Sequence, residues 1–273
     1  MTKPKSSQPR DNWKLLPKRA LVGALAIDAF VILMYSLTIW LPQTPAAKPL
    51  TFVFDLNLEA NVPSWWSGAQ LLLIGITFFL LAAWFFQSDE RIAPLRRLFF
   101  VVGLAFTYLS ADEVGQIHEN LSKLLQSWHF LNLVEIRLLA ALGHKVHKLH
   151  GGSLWIPLFG IIGIVLIWWL WPQFKLGWRL WHREILLLAL GFGVLVFGAV
   201  VVESLGDLIP AGARVLRMVE VGVEESFELV GASVMLYAGA RVLAAAGARL
   251  LPDSPATGAT AVASSDVETQ PRA

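Results

Sequence analysis

Acidic side chains stand out in this sequence because they occur within or beside segments that are otherwise apolar. Nine such acids occur in one half of each of three of these segments, or in the chain beside that half: Asp112, Glu113, Glu119, Glu203, Asp207, Glu220, Glu224, Glu225 and Glu228. An isolated charge in the hydrocarbon layer of a membrane costs several kcal/mol, so such residues face one another or a wet cavity. These acids are therefore the first candidates for chemistry.

Helical spacing groups most of these acids into two stripes, because residues three, four or seven apart share one face of a helix. The stripes are Glu220, Glu224 and Glu228, and Asp112, Gln116 and Glu119. Glu113 and His118 flank the second stripe. At a rise of ~1.5 Å per residue, five of the acids fall in one layer in the outer half of the membrane: Asp112, Glu113, Glu203, Glu224 and Glu228. We expect the two stripes to face each other, with Glu203 between them.

Crowded carboxylates cannot all stay ionised without compensation, so this layer predicts either a bound cation or protonated acids. Salt bridges of Arg217 with Glu220 or Glu224 would compensate only part of the charge. Carboxylates with a His suit Mn, Fe or Zn, whereas carboxylates alone suit Ca or Mg. The predicted metal ligands are Asp112, Glu119, Glu203, Glu224 and Glu228. The predicted catalytic residues, which act as general base or orient the ligands, are Glu113, His118 and Glu220.

No known metal motif accompanies these acids. The Glu-x-x-His pair of ferritin-like di-iron bundles is absent, and the lack of Cys excludes Cys-ligated zinc, iron–sulfur clusters and disulfides. The predicted cofactor is a divalent metal: Fe, Mn, Zn or Ca. Two features stay open. His144, His147 and His150 form either a metal site or a solvated face, and Asp28 lies below the acidic layer, ~12 Å from the inner end of its apolar run.

The elements that must carry these residues are long apolar helices. The chain of 273 residues is 56% hydrophobic and 15% charged, which is too apolar for an ordinary soluble domain. Six apolar runs approach the ~20 residues that a helix needs to cross a bilayer. They span residues 20–41, 68–86, 98–118, 154–171, 185–205 and 218–240. The sequence therefore predicts an all-α, polytopic bundle of six transmembrane helices, with an amphipathic outer segment at 119–153.

Basic residues predict how the bundle is oriented. About two thirds of the 22 Lys and Arg residues lie on the side that holds both termini, and cytoplasmic segments are enriched in such residues. We expect a multi-pass protein of the cell (inner) membrane with both termini in the cytoplasm. A basic tail at 1–19 and a disordered tail at 251–273 would flank the transmembrane domain at 20–250, whose outer loops are 42–67 and 119–153.

Three classes of function fit this pattern. The first, which we favour, is a membrane-embedded metalloenzyme that acts on a lipid-like substrate beneath the outer segment. The second is a proton- or cation-coupled transporter in which Asp28 continues the path inward. The third is an accessory subunit of a larger membrane protein complex. The predicted partners are membrane lipid and possible membrane proteins. The sequence shows no nucleic-acid-binding module.

Overall fold

A computed structural model describes residues 12–41, 44–56, 58, 61–84, 92–117, 120–121, 124, 155–206, 208–210 and 212–250. Within these ranges the chain is helical and has no strand, which confirms the all-α prediction for this part of the protein. The helices are α1 (Asn12–Trp40), α2 (Lys48–Val53), α3 (Val62–Trp84), α4 (Leu95–Gly115), α5 (Trp155–Trp169), α6 (Trp171–Val196), α7 (Glu203–Gly206) and α8 (Arg214–Leu250). A π-helical segment, Phe197–Val202, joins α6 to α7.

Five helical stretches are long and apolar enough to cross a membrane, as a multi-pass membrane protein requires. They are Leu15–Trp40, Val62–Ala83, Leu95–Gly115, Trp171–Val202 and Arg214–Ala246. The predicted run at 154–171 corresponds to α5, which has 15 residues and is about 22 Å long. That length is short of the ~30 Å hydrocarbon layer, so the prediction of six spans is not confirmed by helix length. The predicted outer segment at 119–153 lies almost wholly outside the described residues.

The helices pack around α3 and α8. One face of α3 packs along α4, and another packs against α8, which also contacts α1, α6 and the π-helical segment. The larger apolar core joins these helices through buried residues that include Ile74, Phe78, Leu95 and Met235. Burial of such side chains is the usual source of close packing in a helical bundle. The core therefore fixes the relative positions of the helices that carry the acids.

Pairs of glycines let some of these helices approach closely. A Cβ atom on Gly191 of α6 would lie 2.7 Å from the carbonyl oxygen of Gly231 on α8. A Cβ atom on Gly103 of α4 would likewise lie 3.2 Å from the carbonyl oxygen of Gly75 on α3. Small residues at helix crossings are typical of membrane proteins, because tight packing replaces the hydrophobic effect there.

Contacts near the helix ends define the directions of α1, α6 and α8. The Tyr35 hydroxyl, near the end of α1, donates a hydrogen bond of 2.8 Å to the Met218 carbonyl, near the start of α8. Glu184, in the first half of α6, lies 2.6 Å from Arg241 in the second half of α8. Both α1 and α6 are therefore antiparallel to α8.

The direction of α4 follows from its two neighbours. Leu95, at its start, would lie 3.7 Å from a Cβ atom on Gly177 near the start of α6. Ser110, near its end, donates a hydrogen bond of 2.7 Å to the Gly68 carbonyl near the start of α3. Helices α1, α4 and α6 thus run one way, and α3 and α8 run the other. The end of the bundle where α1 and α4 end and α3 and α8 begin is called the outer end below, after the predicted orientation.

Helix α5 lies alongside α4 in the opposite direction. The ring of Phe159 is 5.6 Å from that of Tyr108, toward the end of α4. The guanidinium of Arg97, near the start of α4, is 5.4 Å from the ring of Trp169 at the end of α5. The two helices therefore pair over at least ten residues, with α5 running away from the outer end.

Candidate functional site

Four glutamates of α8 lie near the outer end, and each side chain is half-buried. They are Glu220, Glu224, Glu225 and Glu228. Glu220 forms an ion pair with Arg217 one turn earlier, at 3.3 Å. Its carboxylate also packs against Gly206 at the end of α7, where a side chain would not fit. The ion pair that the sequence predicted for Arg217 is thus present.

Tyr35 is the point where α1 meets this acidic face. Its ring packs on Gly222, where a Cβ atom would lie 3.0 Å away. The carboxylates of Asp55, Glu225 and Glu220 are close enough to interact electrostatically with its hydroxyl group. The structure thereby adds Asp55 to the acids of the outer end. The sequence carries no signal for Asp55, because it lies in an irregular connection rather than in an apolar run.

The π-helical segment covers the other side of the acidic face. A Cβ atom on Gly198 would lie 2.7 Å from the Glu224 carbonyl oxygen and 3.2 Å from Glu228 Cγ. Such π-helical turns are frequent at functional sites, where they change the register of a helix. Glu203 begins α7 immediately after this segment, but the structure does not describe its side chain.

The predicted stripe on α4 is interrupted. Helix α4 ends at Gly115, and Gln116 adopts a left-handed conformation with φ 51°. Its N–H group donates a hydrogen bond of 2.8 Å to the Asp112 carbonyl, which closes the helix. Helical spacing past Gln116 is the premise that placed Glu119 on the face of Asp112. Ile117, Asn120 and Leu121 are again helical, so that placement stays a prediction. Neither Glu119 nor His118 is among the described residues.

Helix α3 packs against both α4 and α8. Helix α4 also packs against α6, and its buried residues Phe99 and Phe106 share the larger apolar core with Met235 of α8. The Glu113 side chain lies near the start of α3, where its Cγ atom would be 3.8 Å from a Cβ atom on Gly68. The expectation that the two stripes face each other stays a prediction.

The described residues hold no group of three or more His, Asp or Glu side chains close enough to bind one metal ion. Of the predicted ligands, Asp112, Glu224 and Glu228 have described side chains, whereas those of Glu119 and Glu203 lie outside the description. The predicted metal site and carboxylate cluster are thus unsupported by this part of the chain. The His144, His147 and His150 cluster also lies outside it.

Asp28 is the centre of a buried hydrogen-bond network that joins α1, α3 and α8. Its Oδ1 atom accepts hydrogen bonds from Trp66 Nε1 at 2.7 Å and from Gln70 Nε2 at 2.8 Å. Its Oδ2 atom accepts one from Ser233 Oγ at 2.6 Å. Gln70 Nε2 also donates to Ser233 Oγ at 3.0 Å. Three helices are thus held together at one carboxylate.

Asp28 lies near the middle of the apolar stretch of α1. Helix α1 begins at Asn12, and this stretch runs from Leu15 to Trp40. Asp28 therefore lies about 20 Å from Leu15 and about 18 Å from Trp40 along the helix. The helix begins before the predicted run at 20–41, because it continues through Pro17 into the basic tail. Trp66 and Gln70 carried no signal of their own, since apolar runs commonly contain such residues.

An apolar cavity of about 450 Å³ lies at the outer end, beside the end of α4. It is lined by Phe52, Val53, Asn61, Val62, Ser64, Trp65 and Val114. Asn61 stabilises its wall, because its Nδ2 atom donates a hydrogen bond to the Asp55 carbonyl and its Oδ1 atom accepts one from the Ser64 N–H group at 3.3 Å. Val114, one of the lining residues, directly follows Glu113 in the chain.

The chain belongs to the family described as a domain of unknown function, DUF8692, whose model matches residues 21–242. That range contains the Asp28 network, the four glutamates of α8 and the residues that line the cavity. No curated protein matches the chain. No solved structure matches it either.

Proposed function

We propose that the protein is a membrane-embedded enzyme that acts on a lipid-like substrate at the outer end of the bundle, with a divalent metal bound by carboxylates. The observation that carries this proposal is the apolar cavity bounded by Val114, next to Asp112 and Glu113 at the end of α4. Its volume lies in the ~300–1,000 Å³ range of small-molecule sites. Apolar walls beside two acids suit a substrate with an acyl chain and a polar reacting group.

Each acid then has a proposed role. Glu113 and His118 act as general base or orient the ligands at the cavity, and Asp112 binds the metal together with Glu119, which follows α4 in the chain. Glu203, Glu224 and Glu228 are the ligands proposed from the α7 and α8 side. Glu220, which Arg217 holds in place, orients them. The metal, when bound as Fe, Mn, Zn or Ca, would polarise the substrate or activate water.

We also propose that the chain crosses the membrane six times, with both termini in the cytoplasm. The helix directions support this, because α4 ends at the outer end whereas α6 begins at the opposite end. The connection between them must cross back, and α5 runs in that direction alongside α4. An even number of spans puts both termini on one side, and the distribution of Lys and Arg favours the cytoplasm.

Elemental analysis of the protein, purified in mild detergent without chelator, tests the metal. We expect a stoichiometric divalent metal in the wild type, and its loss in a variant that combines Glu224→Gln with Glu228→Gln. Glu184→Gln is the matched control, because this acid lies at the opposite end of the bundle beside Arg241. An absence of metal from a folded wild-type protein would remove the metal from the proposal.

Lipid analysis tests the substrate. Membranes that contain the wild-type protein should accumulate a modified lipid that is absent when Glu113→Gln or Val114→Trp is expressed at the same level. Val165→Trp on α5 serves as the control, since Val165 is exposed and remote from the cavity lining. Identical lipid profiles for the wild type and Glu113→Gln would contradict the enzymatic role.

A second candidate, proton- or cation-coupled transport, is favoured by one observation, the buried Asp28 network in the middle of the span. Ionisable residues at this depth commonly belong to ion pathways. The protein in sealed liposomes should then carry a proton or cation current that Asp28→Asn abolishes. The absence of any flux would count against this candidate.

A further inference from the structure

The middle of the bundle contains four oxygen atoms within one buried group of side chains. Asp28, Gln70 and Ser233 are 1%, 0% and 0% exposed. Two of the oxygens belong to the Asp28 carboxylate and one to the Ser233 hydroxyl. The fourth, Gln70 Oε1, has no hydrogen-bond partner among the described residues. A buried carbonyl oxygen without a partner is costly, and it calls for an explanation such as an ion or a water molecule.

The charge of Asp28 is not balanced by a side chain at its own depth. Helix α3 carries no ionisable residue between Val62 and Trp84. On α1 the nearest basic residue is Arg19, nine residues and about 14 Å away along the helix. On α8 the nearest is Arg241, eight residues or about 12 Å from Ser233, and it pairs with Glu184. The remaining ionisable groups nearby, Tyr35 on α1 and the glutamates of α8, are not cationic.

Hydrogen bonds alone leave this carboxylate with a net charge. Trp66, Gln70 and Ser233 supply three donors, which satisfy its lone pairs. Buried charges in proteins are nevertheless usually paired with an opposite charge or with a metal ion. Since the site holds a single carboxylate, one unit of positive charge neutralises it. A monovalent cation therefore matches the charge of the site, and a divalent cation does not.

The side chain of Gln70 can supply a carbonyl oxygen as a further ligand for a cation. Its Nε2 atom lies 2.8 Å from Asp28 Oδ1 and 3.0 Å from Ser233 Oγ. Rotation of the terminal amide by half a turn exchanges that nitrogen for Oε1 and directs a carbonyl oxygen toward the other two residues. Trp66 does not need to move, because its N–H group continues to donate to Asp28 Oδ1. When the three side chains move slightly apart, a cation between them contacts the carboxylate of Asp28, the hydroxyl of Ser233 and the carbonyl oxygen of Gln70.

We propose that Asp28, Gln70 and Ser233 form a binding site for a monovalent alkali cation in the middle of the membrane. Hard cations prefer such oxygen ligands. Each of the three helices contributes one ligand, so the bound ion links α1, α3 and α8. The site lies deeper than the outer acids and does not depend on the proposed enzymatic function.

Binding of radioactive sodium to the purified, EDTA-treated protein tests this site. We expect saturable binding in the wild type, a decrease in affinity of at least tenfold in Asp28→Asn, and weaker binding in Ser233→Ala. Ser36→Ala is the control, because that hydroxyl group donates only to the Ile32 carbonyl within α1. The monodispersity of each variant in gel filtration shows that it is folded.

A second measurement does not depend on the radioactive ion. Sodium chloride should raise the Tm of the wild type relative to choline chloride at equal ionic strength, because a ligand that binds only the native state stabilises it. Asp28→Asn should lose this difference, and Ser36→Ala should keep it. A folded wild type without saturable sodium binding, or with binding that Asp28→Asn leaves unchanged, would overturn the proposal. EDTA treatment removes any divalent metal, so this result is separate from the test of the proposed enzyme.

Discussion

At the scale of single residues, Asp28 links three helices through one carboxylate. Its carboxylate accepts hydrogen bonds from two residues of α3 and one of α8. Hydrogen bonds to a charged group contribute more than neutral ones, and a buried donor that loses its acceptor is costly. The network therefore stabilises the bundle whether or not it binds a cation.

Replacement of Asp28 by Ala should destabilise the protein by about 2–4 kcal/mol, because it leaves donors of Trp66, Gln70 and Ser233 without their acceptor. Thermal unfolding in detergent measures the effect as a lower Tm. Ser36→Ala, on the same helix, should change stability by less than about 0.5 kcal/mol. Equal Tm values for the two variants would show that the network contributes little.

Gln116 directly follows the last residue of α4, and its backbone is left-handed. A left-handed conformation costs an L-residue with a side chain about 1–2 kcal/mol, whereas Gly adopts it freely. Gln116→Gly should therefore keep or raise the Tm, and Gln116→Val should lower it. The opposite order of the two Tm values would contradict the assigned end of α4.

At the scale of elements, the close contact of α6 and α8 depends on two glycines. Gly191 and Gly231 bring backbone atoms into contact, and α6 continues from there into the π-helical segment over the glutamates of α8. The position of that segment therefore depends on how closely the two helices pack. A wider separation at the glycines would move Gly198 away from Glu224 and Glu228.

Gly191→Ala should destabilise the protein by about 1–3 kcal/mol, because the added methyl group would lie 2.7 Å from the Gly231 carbonyl oxygen and 2.9 Å from the Met235 nitrogen. Gly193→Ala is the control on the same helix, since nothing lies within 4 Å of its added Cβ atom. The Tm of each variant in detergent measures the difference. A Tm for Gly191→Ala that equals that of the control would argue against this helix contact.

At the scale of the whole molecule, the directions of the helices matter more than their number. Five described stretches are long enough to span a membrane. Of these, α4 ends at the outer end, whereas the next stretch in the chain, α6, begins at the opposite end. The chain between them has to return across the bundle. The contacts of Phe159 with Tyr108 and of Trp169 with Arg97 place α5 alongside α4, in the direction of this return.

Cysteine labelling measures this topology directly, because the chain contains no Cys. In intact cells, a membrane-impermeant maleimide should label Asn120→Cys, placed after α4, and should not label Lys175→Cys, placed in α6. Permeabilised cells should show labelling of both. Labelling of both positions from the same side of an intact membrane would contradict a crossing between them.

Much of the architecture could be predicted from the sequence, because the cost of exposing charge or unpaired backbone to hydrocarbon acts on windows of about 20 residues. The apolar runs at 20–41, 68–86 and 218–240 each fall on a long helix, and the four glutamates of α8 lie on one helix near its outer end. The limits of the runs were less accurate. Within residues 98–118, Gln116 interrupts the helix, and its left-handed backbone leaves no trace in hydropathy.

The tertiary structure alone decided which residues meet. Asp28 and Ser233 are 205 residues apart in the chain, and Asp28 and Gln70 are 42 apart. Helical periodicity relates side chains on one helix, but it contains no information about which helix lies opposite. For the same reason it could not show which helices pack against α3. Hydropathy predicted the membrane-length apolar helices of the described part of the chain, because the cost of placing charge in hydrocarbon acts on local segments. Which polar groups meet depends on contacts between helices that are far apart in the chain, and periodicity does not encode these contacts.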